Sequence, residues 1–314
     1  MNSINYNNLV NDFLRSCPSN HSVFHVSHLL NVIQIMKSGM IKSRNLLGNN
    51  FTNSAGCVVN RTSKAHDFAR FYFLTHTPTL FHFEGLGIRK DTEHYTEYQG
   101  LKSPKCPFPV FIELNIEEII KSNPDAIYYA NGNAQADTTE IFQIGTEECR
   151  YCNNKNQSDD KKKFYQQEFL VKNYIDLHKL KHVKLVFQND DVKDLYQKIL
   201  NNNHINSPFS CTVDNTYFFN HNYSIIPILD EIRNSLTLKT DYNLNYHYEI
   251  HVKNFNPNIN PIMTGHQDNI QQSYGNAVLY VSATKDLVEI FLDEGIKIYF
   301  CPENNEQIYL LYEQ

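Results

Sequence analysis

The stretch "KKKFYQQEFLV", residues 161 to 171, decides how this chain is read. Three lysines and two glutamines lead to one acid, Glu168, and an apolar run follows at once. Read as a strand, Gln166, Glu168 and Leu170 share one face, while Gln167, Phe169 and Val171 share the other. A carboxylate at the mouth of an apolar strand is costly to desolvate unless something pairs with it or uses it. Taken alone, the stretch favours a salt-bridged structural acid over a reactive one.

Composition frames the choice. The 314 residues suffice for one large domain or two ordinary ones, and a hydrophobic fraction of 41% supports a real core. No apolar run approaches the roughly 18 residues of a membrane span, so no membrane association is expected. The opening "MNSINYNNLVNDFLRSC" lacks a basic segment followed by an apolar one, so no secretory leader is expected. Seven scattered cysteines read as reduced thiols in a cytoplasm. "CRYC" (149–152) is a lone CxxC, and a zinc site needs a second pair at sensible spacing; no metal is expected. Charge is uneven. Residues 1–200 carry 23 Lys+Arg against 21 Asp+Glu, and the rest carry 5 against 13. The first part can meet a polyanion locally; the second repels one.

Along the chain, "NLVNDFLRSC" has helical spacing. "HVSHLLNVIQIMKSGMI" carries a helix that Gly39 should stop and that Ser27 should cap. "PVFIELNI" (109–116), "DAIYYANG" (125–132) and "HVKLVFQ" (182–188) read as strands, and "DDVKDLYQKILNN" as a helix. Between Ile144 and Phe164 the chain is long and polar, the mark of a functional or disordered loop. Later pieces, "TYFFN", "YHYEIHV", "AVLYVSA", "IKIYFC" and "QIYLLYE", look strand-like. A boundary near 203–208 gives two units, 1–204 and an acidic, β-rich 205–314 of unassigned role.

Four patches, in order, carry a resemblance. They are "FHVSHLLNVIQIMKSGMI" (24–41), "AHDFARFYFLTHTPTLFHF" (65–83), "IYYANGNAQADTTEIF" (127–142) with its Asn-Ala pair, and "QQEFLV". Together they resemble DarT-like ADP-ribosyltransferases, which attach ADP-ribose from NAD to bases of single-stranded DNA. The resemblance spans about residues 20–190. It implies an α+β fold, a split and mostly antiparallel β core with flanking helices. It implies NAD as co-substrate, single-stranded DNA as acceptor, and a toxin or anti-phage role held in check by a macrodomain-type antitoxin. RNA or protein as acceptor, and a non-catalytic nucleotide- or partner-binding module, are the competing readings.

The resemblance also implies roles. Glu168 is the catalytic glutamate, a carboxylate suited to holding ribose hydroxyls and stabilising an oxocarbenium-like centre. Arg61 sits where the family's functional arginine precedes the FYF segment and is expected to assist. Arg70, where the family usually has Pro, is the rival. His25, Ser27, Asn31, Gly39 and Tyr72 are expected cofactor contacts; an imidazole and a hydroxyl suit a ribose diol or an amide. Lys161, Lys162, Lys163 and Tyr165 are expected at the nucleic acid, the lysines through phosphates and the tyrosine by stacking. Thr79 stands where the family usually has Met.

Overall fold

The computed structural model describes residues 3–18, 21–48, 63–83, 96–98, 101–103, 109–151 and 163–219, and eight strands between 225 and 313. The chain opens with α1 (Ser3–Ser16), β1 (Ser22–His28), α2 (Leu29–Ser38), β2 (Met40–Lys42) and a short α3 (Arg44–Leu47). A 3-10 turn (Lys64–Asp67) leads into β3 (Phe68–Tyr72), followed by α4 (Pro78–Phe83) and the hairpin strands β4 (Thr96–Tyr98) and β5 (Leu101–Ser103). Next come β6 (Pro109–Asn115), α5 (Ile116–Ser122), β7 (Ile127–Ala130) and β8 (Ile141–Gln143). Then follow β9 (Glu168–Lys172), β10 (Tyr174–Asp176), β11 (Val183–Phe187), α6 (Asp190–Asn202) and β12 (Ser210–Val213).

Eight strands form one sheet in the order β12-β11-β6-β1-β3-β9-β7-β8. Every neighbouring pair is antiparallel except β11 and β12. β1 is zipped to β6 along its whole length, from Ser22↔Asn115 to His28↔Pro109. Against β3 it keeps a single register pair, Phe24↔Tyr72. The sheet therefore opens between β1 and β3, which is the split core expected from the sequence.

Period-2 alternation sorts the side chains. Val110, Ile112 and Leu114 of β6, Phe71 of β3 and Phe169 and Val171 of β9 enter one large core. There they meet Phe13 of α1, Val32, Ile33 and Met36 of α2, Ile119 of α5 and Leu195 and Ile199 of α6. The intervening residues, Phe24, Val26, Tyr72, Phe111 and Val186, line the other face with Leu80 and Phe218. Leu170 and Ala130 pack on Ala65 and Ala134 in a third, small cluster.

The helix read at 190–202 forms there, capped by Asn189, whose side chain accepts from the Val192 amide at 2.9 Å. Two expectations change. Ser27 does not start a helix: β1 runs on through His28, because its pairing with β6 continues to Pro109. "TYFFN" is no strand; Asn215–Tyr217 make a 3-10 turn capped by Asp214. The sheet also crosses the boundary expected at 204/205. β12 pairs with β11 in register Lys184↔Ser210, and Phe218 is buried beyond it.

In the acidic remainder, β13 (Ile225–Asp230), β14 (Ser235–Thr240), β15 (His247–Lys253), β16 (Asn269–Ser273), β17 (Asn276–Ser282), β18 (Val288–Phe291), β19 (Ile296–Phe300) and β20 (Tyr309–Glu313) follow. They form two antiparallel sheets, ordered β13-β14-β18 and β16-β17-β15-β19-β20. No helix among the described residues is long and apolar enough to cross a membrane.

His28, at the end of β1, is fully buried, and burial pushes its pKa down to about 3 from an ordinary 6.5. The unfolded chain takes up a proton near pH 6.5 that the folded chain refuses until about pH 3. Stability attributable to this group is thus complete above pH 6.5 and falls as pH drops through that window. The slope is about 1.4 kcal/mol per pH unit. Urea midpoints at pH 7.5 and 5.5 should therefore differ less in His28→Gln than in the native chain. Equal pH slopes in the two proteins would remove this role.

Candidate active site

Glu168 is the first residue of β9, not an interior one; Gln166 and Gln167 belong to the turn before it. It lies on the face opposite α1, α2, α5 and α6, in a cross-strand row that reads Lys184, Glu113, Phe24, Tyr72, Glu168, Ala130. The residue is 0% exposed. A carboxylate so placed needs partners, and it has three donors. Arg70 Nε donates to Oε2 at 2.6 Å and Arg70 Nη2 to Oε1 at 2.7 Å. The Ala134 backbone N–H donates to Oε1 at 3.1 Å. Arg70 Nη2 also donates to Asn133 Oδ1 at 3.2 Å. This is a two-pronged, charge-assisted pair. Burial works against the charge of Arg70, but Glu168 more than reverses it and holds the guanidinium above its ordinary range.

His25 and Ser27 sit two apart on β1, as expected, where β1 leaves β3. His25 Nδ1 lies 3.0 Å from the Arg70 carbonyl oxygen, so the ring bridges the opening. Burial lowers its pKa against the opposing effect of that bond, and the Arg70 charge lowers it further. The imidazole is neutral at pH 7, donates from Nδ1 to the carbonyl, and keeps Nε2 as an acceptor. Ser27 Oγ accepts from Asn31 Nδ2 at 3.0 Å, so these two expected cofactor contacts hold each other.

Tyr72 is buried beside Glu168 and donates from its hydroxyl to Thr79 Oγ1 at 3.0 Å. Burial first, and the Glu168 charge second, push its pKa up to about 12, so it stays a neutral phenol. Thr79 on α4 thus fixes the tip of Tyr72. Gly39 is explained by the fold. It ends α2 at φ +67, and a Cβ there would lie 2.4 Å from His178 Nε2.

The turn before β9 is pinned from below. Tyr129 donates to Gln167 Oε1, and Gln167 Nε2 donates to the Phe164 carbonyl at 3.3 Å. Above it Lys163 is exposed and passes over Gly132, and Tyr165 is 37% exposed with its ring edge-on to Phe164. Arg61, Lys161 and Lys162 lie outside the described residues. The arginine that the described residues bring to Glu168 is Arg70, the rival of the sequence reading. Asn133 and Ala134 were visible only as a motif fragment. Their Asn-Ala pair after β7 was the signal, but its link to Glu168 was not legible. Cys149 of the CxxC is buried with its thiol pushed up to about 12, which leaves it protonated and unreactive; Cys152 lies outside the described residues.

A family model described as DarT, ssDNA thymidine ADP-ribosyltransferase, matches residues 24–219. That span starts in β1, contains every group around Glu168 and ends just past the buried Phe218. The chain belongs to the DarT family. Among solved structures it is similar to Thermus sp. 2.9 DarT in complex with ADP-ribosylated ssDNA, at 16% identity over 65% of this chain and 99% of that one, with a TM-score of 0.49. It is also similar to Thermus sp. 2.9 DarT in complex with NAD+, at 16% identity over 65% and 100%, with a TM-score of 0.46. A third is Thermosipho africanus DarTG in complex with ADP-ribose, at 17% identity over 66% and 52%, with a TM-score of 0.44. No protein with a curated description matches the chain. The enzyme class expected from the sequence, an NAD-dependent ADP-ribosyltransferase, is that of the DarT family. The family adds what the sequence reading left open: its modified base is thymidine.

Proposed function

We propose that Glu168 carries the transfer in this chain, moving ADP-ribose from NAD to a thymidine of single-stranded DNA and releasing nicotinamide. The observation that supports it is the buried Glu168 carboxylate, held by the Arg70 fork and the Ala134 N–H beside the opening of the sheet. Breaking the nicotinamide–ribose bond leaves positive charge on the ribose. A preset carboxylate next to it stabilises that charge without reorganising. The base nitrogen then forms the new bond to the same ribose carbon, and its proton passes to Glu168. Arg70 keeps the carboxylate aimed. His25 offers Nε2, and Ser27, Asn31 and Tyr72 offer polar groups to the ribose and amide of NAD. Lys163 and Tyr165, exposed on the turn that enters β9, meet the phosphate and an unpaired base of the acceptor.

Family membership supports a toxin or anti-phage effector that acts in the cytoplasm and is held in check by a macrodomain-type antitoxin. The transferase unit extends through about residue 219, and the acidic β-rich remainder is a separate unit.

The test is incubation of the chain with labelled NAD and oligonucleotides. Label should enter single-stranded DNA containing thymidine and be absent from DNA without it, from RNA and from a protein lysate. Label on RNA or protein would keep the chemistry and overturn the acceptor. No nicotinamide release from any mixture would overturn the enzyme reading for this chain.

A further inference from the structure

Asn133 closes a ring around the carboxylate. Its Oδ1 accepts from Arg70 Nη2 at 3.2 Å and from the Gln135 backbone N–H at 3.0 Å. The same Nη2 donates to Glu168 Oε1, and so does the N–H of Ala134, the residue that follows Asn133. One side chain therefore holds one of the two donors that converge on Oε1 of Glu168, Arg70 Nη2, and pins through Gln135 the turn that carries the other, the Ala134 N–H. We infer that Asn133 is a positioning residue for the transfer, setting the Arg70 guanidinium and the Ala134 amide together against Glu168. This inference rests on Glu168 being the reacting carboxylate.

The loop that carries Asn133 does not depend on its side chain to stay folded. Its neck is closed by Asn131 and Glu140, through Asn131 N–H to the Glu140 carbonyl at 3.2 Å and Glu140 N–H to Asn131 Oδ1 at 3.1 Å. Its tip keeps the main-chain bonds Ala136 N–H to the Asn133 carbonyl at 2.9 Å and Thr139 N–H to the Ala136 carbonyl at 3.1 Å. Lys64 Nζ ties its far side by donating to the Thr139 carbonyl at 2.8 Å. Removing the Asn133 side chain thus leaves the loop standing and frees Arg70 Nη2 and the Gln135 N–H, the donor next to the Ala134 amide. Arg70 Nη2 then answers to Glu168 alone, and the Ala134 amide loses the turn bond that aims it. Small displacements of this kind affect the reacting geometry more than ground-state binding.

Both bonds use only the side-chain oxygen, so an aspartate preserves them. Steady-state kinetics with labelled NAD and thymidine-containing single-stranded DNA should show Asn133→Ala losing about 10- to 100-fold in kcat, with KM for NAD and Tm close to native. Asn133→Asp should recover to within a few-fold of native. Native kcat in Asn133→Ala would overturn the inference. So would a joint fall of kcat and Tm that Asn133→Asp fails to rescue, since that marks a merely structural residue. Glu168→Gln run alongside separates the two readings. If it retains turnover, the assignment of Glu168 fails whatever Asn133 does; if it is inactive and Asn133→Ala is normal, only the role of Asn133 fails.

Discussion

Glu168→Gln should reduce ADP-ribosyl transfer by at least about a thousand-fold, because the amide cannot offset the charge that develops on the ribose. The substitution keeps size and shape in a site with no solvent exposure. Its single oxygen still accepts from Arg70 or Ala134, while its NH₂ is set against a guanidinium N–H, donor against donor with no acceptor between them. A loss of about 1–3 kcal/mol in stability is therefore expected along with the lost rate. Alanine is the poorer test: it leaves Arg70 without the carboxylate that holds it, so a fold defect would accompany the chemical one. The checks are nicotinamide release, label on DNA, and NAD binding by calorimetry, the last expected to persist. Turnover within tenfold of native would show that another group carries the reaction.

The second large effect belongs to Arg70. Arg70→Met leaves the Glu168 carboxylate buried with one main-chain donor, Ala134. Breaking a buried pair by removing one partner costs about 3–5 kcal/mol. The Arg70 side chain is 24% exposed, so water reaches its end of the pair and the lower end of that range applies. The same variant should lose about a hundred-fold or more in kcat/KM, since the carboxylate is no longer aimed. Adding Glu168→Leu to Arg70→Met should return much of the stability and none of the activity, because an apolar pair of similar volume needs no compensation. Thermal melts and kinetics of the three variants measure both halves. An Arg70→Met protein with native melting and native kcat/KM would reduce the ion pair to an incidental contact.

What the sequence determined follows from local rules. The helix at 190–202 is written in apolar spacing and an Asn cap. The strands near 109–116, 125–132 and 182–188 are written in short runs of β-branched and aromatic residues, and the two-residue period of a strand assigns Phe169 and Val171 to one face and Glu168 to the other. The ordered patches pointed to the family, the fold class and Glu168. The tertiary structure decided the partners. Arg70 reaches Glu168 across 98 residues only because β3 and β9 pair in the register that sets Tyr72 against Glu168 and brings Arg70 alongside. The motif spacing favoured Arg61. Asn133 and Ala134 enter because β7 pairs with β9 so that Ala130 faces Glu168, which swings the following turn over the carboxylate. β12 joins the sheet past the boundary expected near 203–208, pairing with the edge of β11. Strand register is a long-range property fixed by which faces bury together, so no window of the sequence contains it.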